Sequence, residues 1–199
     1  MSPVSPPRSP RPPVRERLLA VADELFYAEG IHVVGIDRLL AEAGVAKASL
    51  YQHFSSKDDL VAAYLRRRLD LGQDELDRRM AAVEGTPAER IVALFDILGR
   101  WMAGRAFRGC PFINAAAEYP QADHPVQKVI AEHRARSLAR FRGLVADLGT
   151  DEPEALAESL MLLYDGALVA ADLGSGRKAG RSVVAAVRRL LGADACVSQ

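Results

Sequence analysis

Apolar residues in this chain recur at spacings of three and four, not two, over most of its length. That pattern predicts helices and no sheet. Leu18, Ala22, Leu25 and Phe26 mark a first helix over about 14–29, closed by Gly30. Ile36, Leu39, Leu40 and Ala43 mark a second, and a tight turn at Ala43-Gly44-Val45 leads to a short third with Leu50 and Phe54 one turn apart. A fourth runs from about 57 to 83 through Leu60, Tyr64, Leu71 and Leu76, until Gly85 breaks it. Thr86-Pro87-Ala88-Glu89 is a start signal: Thr86 caps, Pro87 suits the first turn and Glu89 completes a capping box. The fifth helix then carries Ile91, Leu94, Phe95, Leu98 and Trp101 on one face.

Gly109, Pro111, Pro120 and Pro125 break the next stretch, which holds one short helix over about 112–118. A helix over about 125–148 follows, with many arginines on its outer face. The last two are expected over 152–173, capped by Asp151 and striped by Leu156, Leu160, Leu163 and Ala167, and over 179–191, with Val183, Val184, Val187, Leu190 and Leu191. Two apolar helices in succession either close a core or form half of a four-helix dimer interface. The organisation expected is therefore all-α: a disordered Pro- and Arg-rich tail over 1–13, a helix-turn-helix DNA-binding domain over 14–60, and a larger helical domain over 61–199.

Composition narrows the function. The chain is 49% hydrophobic but only 6% aromatic, which suits helices. Its 26 basic and 26 acidic residues cancel, so no global charge pulls it onto nucleic acid or a membrane. Any DNA contact has to come from a local patch, and Ala43 to Lys57 supplies one: it has no acid but contains Lys47, His53 and Lys57. The leader MSPVSPPRSPRPP has no apolar segment, so no secretory signal is expected, and no apolar run is long enough for a bilayer. Cys110 and Cys196 read as reduced thiols in a cytoplasmic protein. His32, His53, His124 and His133 are scattered without ligand spacing, so no metal is expected. No phosphate-cradling loop or Cys/His signature supports an enzyme, and no cofactor is expected.

In a helix-turn-helix the second helix of the pair lies in the major groove. That gives the DNA-binding candidates Lys47, Ala48, Ser49, Tyr51, Gln52, His53 and Lys57. Lys47 can reach a guanine edge or a phosphate, and Gln52 suits an adenine edge. Tyr51 and His53 can donate to phosphates, and Lys57, at a helix start, can pair with one.

The segments ELFYAEG and IDRLLAEAGVAKASLYQHFSSKDDL resemble the TetR/AcrR family of bacterial transcriptional repressors over about residues 15–64. The order Gly44, Lys47, Leu50, Tyr51, Phe54, Lys57, Leu60 carries the resemblance. Gly35, Ala46 and Ala48 stand where the family pattern has Thr, Ser and Gly, which removes two capping hydroxyls and adds one methyl group. The resemblance implies a C-terminal ligand-binding and dimerisation domain, a double-stranded DNA operator of palindromic form, a small apolar effector, and a homodimer through the last two long helices. It raises Phe95, Leu98, Trp101, Met102, Cys110, Phe112, Ile113, Tyr119, Tyr164 and Leu168 from ordinary core to candidate effector contacts, with Asn114, Glu118 and Asp165 as polar neighbours. The alternative is a thiol-based redox or electrophile sensor, or a cysteine-dependent enzyme, in which Arg105 and Arg108 lower the pKa of Cys110.

Overall fold

The computed structural model describes residues 11–192. Among these, nine α-helices and one 3-10 turn follow each other without a strand: α1 (Val14–Glu29), α2 (Ile36–Ala43), α3 (Lys47–His53), α4 (Lys57–Ala81), α5 (Pro87–Met102), α6 (Pro111–Glu118), α7 (Pro125–Val145), the 3-10 turn (Ala146–Leu148), α8 (Pro153–Leu173) and α9 (Gly176–Leu190). The chain divides into two units between Tyr64 and Leu65, inside α4.

The first unit is built on α1. Its buried face, Leu18, Leu19, Ala22, Leu25 and Phe26, is the one its periodicity defines, and Gly30 ends it at φ 98° with its N–H on the Phe26 carbonyl. Helices α2 and α3 have eight and seven residues, too short to persist alone in water. Packing holds them: Leu39, Leu40, Leu50, Phe54 and Leu60 are buried, and Phe26 meets the Tyr64 ring edge-on at 5.5 Å. Each such side chain contributes about 1.5–3 kcal/mol on burial.

In the second unit α5 packs on α9, α9 on α8, α8 on α7, and α7 on α6. Helices α5 and α9 run antiparallel, with Gly180 against Gly99 and Gly176 against the Met102 carbonyl. A Cβ added at Gly180 would stand 2.9 Å from the Gly99 Cα, so only glycine permits this crossing. The Thr86/Glu89 capping box is present at the start of α5. Ion pairs join α4 and α7: Arg66 of α4 with Glu132, and Arg136 and Arg140 of α7 with Asp70 (3.3 Å) and Asp77 (2.5 Å).

Several local expectations are corrected. Trp101 leaves the buried face of α5; it is 40% exposed and stacks edge-on with Phe107. Leu71 on α4 is exposed as well. Asp151 does not cap α8: the N-cap is Glu152, without a side-chain cap, and Pro153 takes the first turn. Helix α7 ends at Val145 because the chain tightens into the 3-10 turn before Gly149 at φ 69°. Helix α9 starts three residues early because the Ser175 hydroxyl accepts the Lys178 N–H, so Gly174-Ser175-Gly176 is a cap rather than a loop. Leu190, expected in the core, is exposed. Cys196 and residues 1–10 of the expected tail lie outside the described residues.

Candidate nucleic-acid interface

The helix-turn-helix is set by one left-handed residue. Gly44 sits at φ 60°, ψ 45°, and its N–H and that of Val45 return to the Ala41 and Leu40 carbonyls. A guanidinium from α1 fastens the turn: Arg17 Nη1 donates to the carbonyls of Ala43 (2.9 Å) and Gly44 (3.2 Å). This occupies two carbonyls that the end of α2 leaves open. Sequence reading missed Arg17 because its partners lie 26 and 27 residues away.

Of the seven side chains of α3 only Leu50 is buried. Lys47, Ala48, Tyr51, Gln52 and His53 are exposed, and Ser49 is half-buried. The structure therefore brings six of the seven DNA-binding candidates onto one short helix. Lys57 is placed differently. Its ammonium donates to the Ile31 carbonyl at 2.6 Å and lies 5.8 Å above the Phe26 ring, so it ties the start of α4 to the loop after α1. Neither α2, behind Gly35, nor α3, behind Ala46, has a side-chain cap.

Two nearby acids, Asp59 and Glu29, are engaged. Asp59 accepts from the Ser55 N–H and hydroxyl, while its own N–H donates to the Ser56 hydroxyl. Arg38 grips Glu29 with two bonds (2.5 and 2.8 Å), and this hydrogen bonding holds the Glu29 carboxyl below its usual range.

The comparisons agree with this geometry. Residues 18–64 match the profile of the bacterial regulatory proteins of the tetR family, and residues 87–187 match that of the tetracyclin repressor-like C-terminal domain. The chain belongs to the TetR family. It is a DNA-binding transcriptional regulator with the TetR fold. SCO4454, a TetR-family regulator of Streptomyces coelicolor, is 36% identical, with 90% of this chain and 95% of that one covered and a TM-score of 0.85. The transcriptional activator FasR of Mycolicibacterium smegmatis is 48% identical over 63 residues, which are 32% of this chain and 29% of FasR. The transcriptional repressor NemR of Escherichia coli is 30% identical over 105 residues, 52% of this chain and 53% of NemR.

In a TetR regulator the second unit is where effector contacts are sought. Phe95, Leu98, Met102, Cys110, Phe112, Tyr119 and Leu168 are buried, while Ile113 and Tyr164 are half-buried. Phe95 stacks on Phe141 at 5.8 Å, and Tyr164 meets Phe141 edge-on at 5.9 Å. Phe112 lies flat on His133, with centroids 3.8 Å apart, and Tyr119 leans on His124. His133 was not among the expected contacts; as one polar residue on an arginine-rich helix it gave no periodic signal. Trp101 stands apart from these clusters, at the surface. Asn114 holds the Arg108 carbonyl at 2.8 Å, and Asp165 pairs with Arg134 at 2.6 Å.

Burial keeps the titratable groups here neutral. The Cys110 thiol is pushed up to about 11, mainly by desolvation, although the N–H groups of Phe112 and Ile113 pull it back. The His133 imidazole is pushed down to about 4, and the Tyr164 phenol is raised, both by desolvation. The expectation that Arg105 and Arg108 would lower the Cys110 pKa is thus overturned: both are exposed, and burial decides the thiol's state. Among the described residues no group of three His, Cys, Asp or Glu is placed to hold a metal, and no helix is long and apolar enough to cross a membrane.

Proposed function

We propose that this TetR regulator is a ligand-responsive repressor that binds a palindromic operator as a homodimer in the cytoplasm and is released by a small apolar effector. The exposed, acid-free face of α3 carries the reading. Lys47 and Gln52 are its base-edge candidates, and Tyr51 and His53 its phosphate donors. Ala48 meets a thymine methyl, Ser49 adds a short hydroxyl, and Lys57 acts through its tether as much as through its charge.

The dimer reading rests on α8. Leu162, Val169 and Leu173 are 67%, 42% and 83% exposed and recur with Gly166 along one face of that helix. An apolar stripe of this kind on a single chain fits a self-complementary two-fold interface. The aromatic clusters around Phe95, Phe112 and Tyr164, with Leu98, Met102, Cys110, Ile113, Tyr119 and Leu168, are the proposed effector contacts; Trp101 is the weakest of the set. An effector shifts DNA affinity only by its unequal affinity for two conformers, and α4, continuous through the division of the chain, is the proposed transmitter.

Mobility shifts on the DNA upstream of its own coding region test the proposal. The wild type is expected to bind with a steep salt dependence, because phosphate contacts release counterions. Lys47→Ala and Gln52→Ala are each expected to weaken binding about tenfold. Unchanged affinity in both would remove α3 as the reading element. Leu162→Glu should yield monomers in sedimentation; a dimer that persists would move the interface elsewhere.

A further inference from the structure

A groove of 470 Å3 runs between α5 and α9, lined by Asp96, Gly99, Arg100 and Ala103 from α5 and by Arg177, Gly180, Arg181, Val184, Ala185 and Arg188 from α9. Its size falls in the range of small-molecule sites, and its floor is glycine, alanine and valine. Arg177, Arg181, Val184 and Arg188 are spaced i, i+4, i+7, i+11 and therefore share one face of α9, over about 16 Å.

The arginines set the groove apart by their number in one lining. Elsewhere Arg38, Arg66, Arg78, Arg79, Arg134, Arg136, Arg140 and Arg142 pair with carboxylates, while Arg67, Arg90 and Arg105 are exposed without an ion pair among the described residues. Arg100, Arg177, Arg181 and Arg188 are exposed, and none makes an ion pair or hydrogen bond among the described residues. The one acid in the groove, Asp96, pairs with none of them. Helix α9 moreover opens GRKAGR, with no acid in its first turn. Cations there oppose the helix dipole. A local rule broken without compensation marks a functional place, and an anion would relieve this one.

The antiparallel crossing sorts the groove by chemistry. Because Gly176 lies at Met102 and Gly180 at Gly99, the register puts Arg177 and Arg181 beside Arg100, at the end of α5, and puts Arg188 beyond Asp96. Arg100, Arg177 and Arg181 thus line one end of the groove, and an apolar floor with one carboxylate continues from them. We propose that the α5–α9 groove binds a phosphorylated small molecule of the nucleoside diphosphate class. Its phosphates pair with Arg100, Arg177 and Arg181, its less polar body lies on Val184 and Ala185, and a hydroxyl or amino donor meets Asp96. Guanidinium forks match phosphate oxygens two at a time, so this end of the groove suits a diphosphate better than a single carboxylate. None of its lining residues belongs to the aromatic effector clusters or to the exposed stripe of α8.

Calorimetric titration of the full chain with ADP and with inorganic pyrophosphate tests it. Saturable binding of both is expected, tighter for ADP. Arg100→Gln/Arg181→Gln should weaken both by about tenfold or more, since each lost charge-assisted bond is worth about that factor. Asp96→Asn should weaken ADP but not pyrophosphate, and Arg67→Gln, an exposed arginine outside the groove, should change neither. Thermal melts of each variant separate lost binding from lost fold, and Arg177→Gln alone gives a milder second reading of the same loss. Absence of saturable binding, equal loss in Arg67→Gln, or capture of an acidic peptide or duplex DNA in preference to ADP would each overturn the proposal.

Discussion

Helix α3 and the aromatic region around Cys110 treat polar groups in opposite ways. On α3 one side chain of seven is buried, and Lys47, Gln52 and His53 stay in water. Around Cys110 a thiol, an imidazole and a phenol are withdrawn from water, and desolvation keeps each one neutral. The first surface is kept hydrated and the second is kept dry. The difference also separates two kinds of mutation. Changes on α3 should alter binding and leave stability alone; changes around Cys110 should do the reverse.

The largest effect should come from the aromatic core. Phe95→Ala removes a fully buried ring stacked on Phe141 and should cost about 3–5 kcal/mol in denaturant unfolding. A loss below 1 kcal/mol would mean that the region is loosely packed and the contrast with α3 false.

The next is a pH effect. His133 titrates near 4 when folded, against an ordinary value of 6.5. The unfolded chain therefore takes up the proton first as pH falls. The stability held by neutral His133 is complete above about 6.5 and is lost progressively down to about 4, by up to about 3 kcal/mol. Replacing it by Gln should flatten that part of the stability–pH curve. An identical slope in the variant would show that the imidazole is solvated.

Arg17→Ala should cost about 1–2 kcal/mol, because two carbonyls lose a charged donor. It should also weaken DNA binding without changing the salt slope, since Arg17 holds the turn and is not assigned a phosphate. A slope reduced by about one charge would reassign it as a contact. The smallest stability effect should be that of Lys47→Ala, within about 0.5 kcal/mol, despite its expected loss of affinity. A large drop in melting temperature would remove the distinction between the two regions.

How far the sequence foretold all this depended on the range of the interaction. The start of α1, the Gly44 turn and the Thr86/Glu89 box were legible because each is written within a few consecutive residues. The tethers of Arg17 to Ala43 and of Lys57 to Ile31 were not, because they join residues 26 apart. Lys57 read as a phosphate ligand for that reason. Trp101 fitted the helical repeat yet stands at the surface, because periodicity marks an arc of a helix and only packing shows where that arc ends. The state of Cys110 was misread from neighbouring arginines: proximity in sequence gave no measure of burial, and burial dominates. Arg177 and Arg181 of α9 were visible as letters, but their place beside Arg100 needed the antiparallel crossing.

That crossing has a practical consequence. Gly99 and Gly180 meet so closely that a single methyl group acts as a shim: Gly180→Ala must lift α9 away from α5. Such a substitution touches neither the reading helix nor the aromatic clusters. It therefore offers a mechanical perturbation, a displacement of one helix against its neighbour, with which the response of the regulator to any chemical signal can be compared.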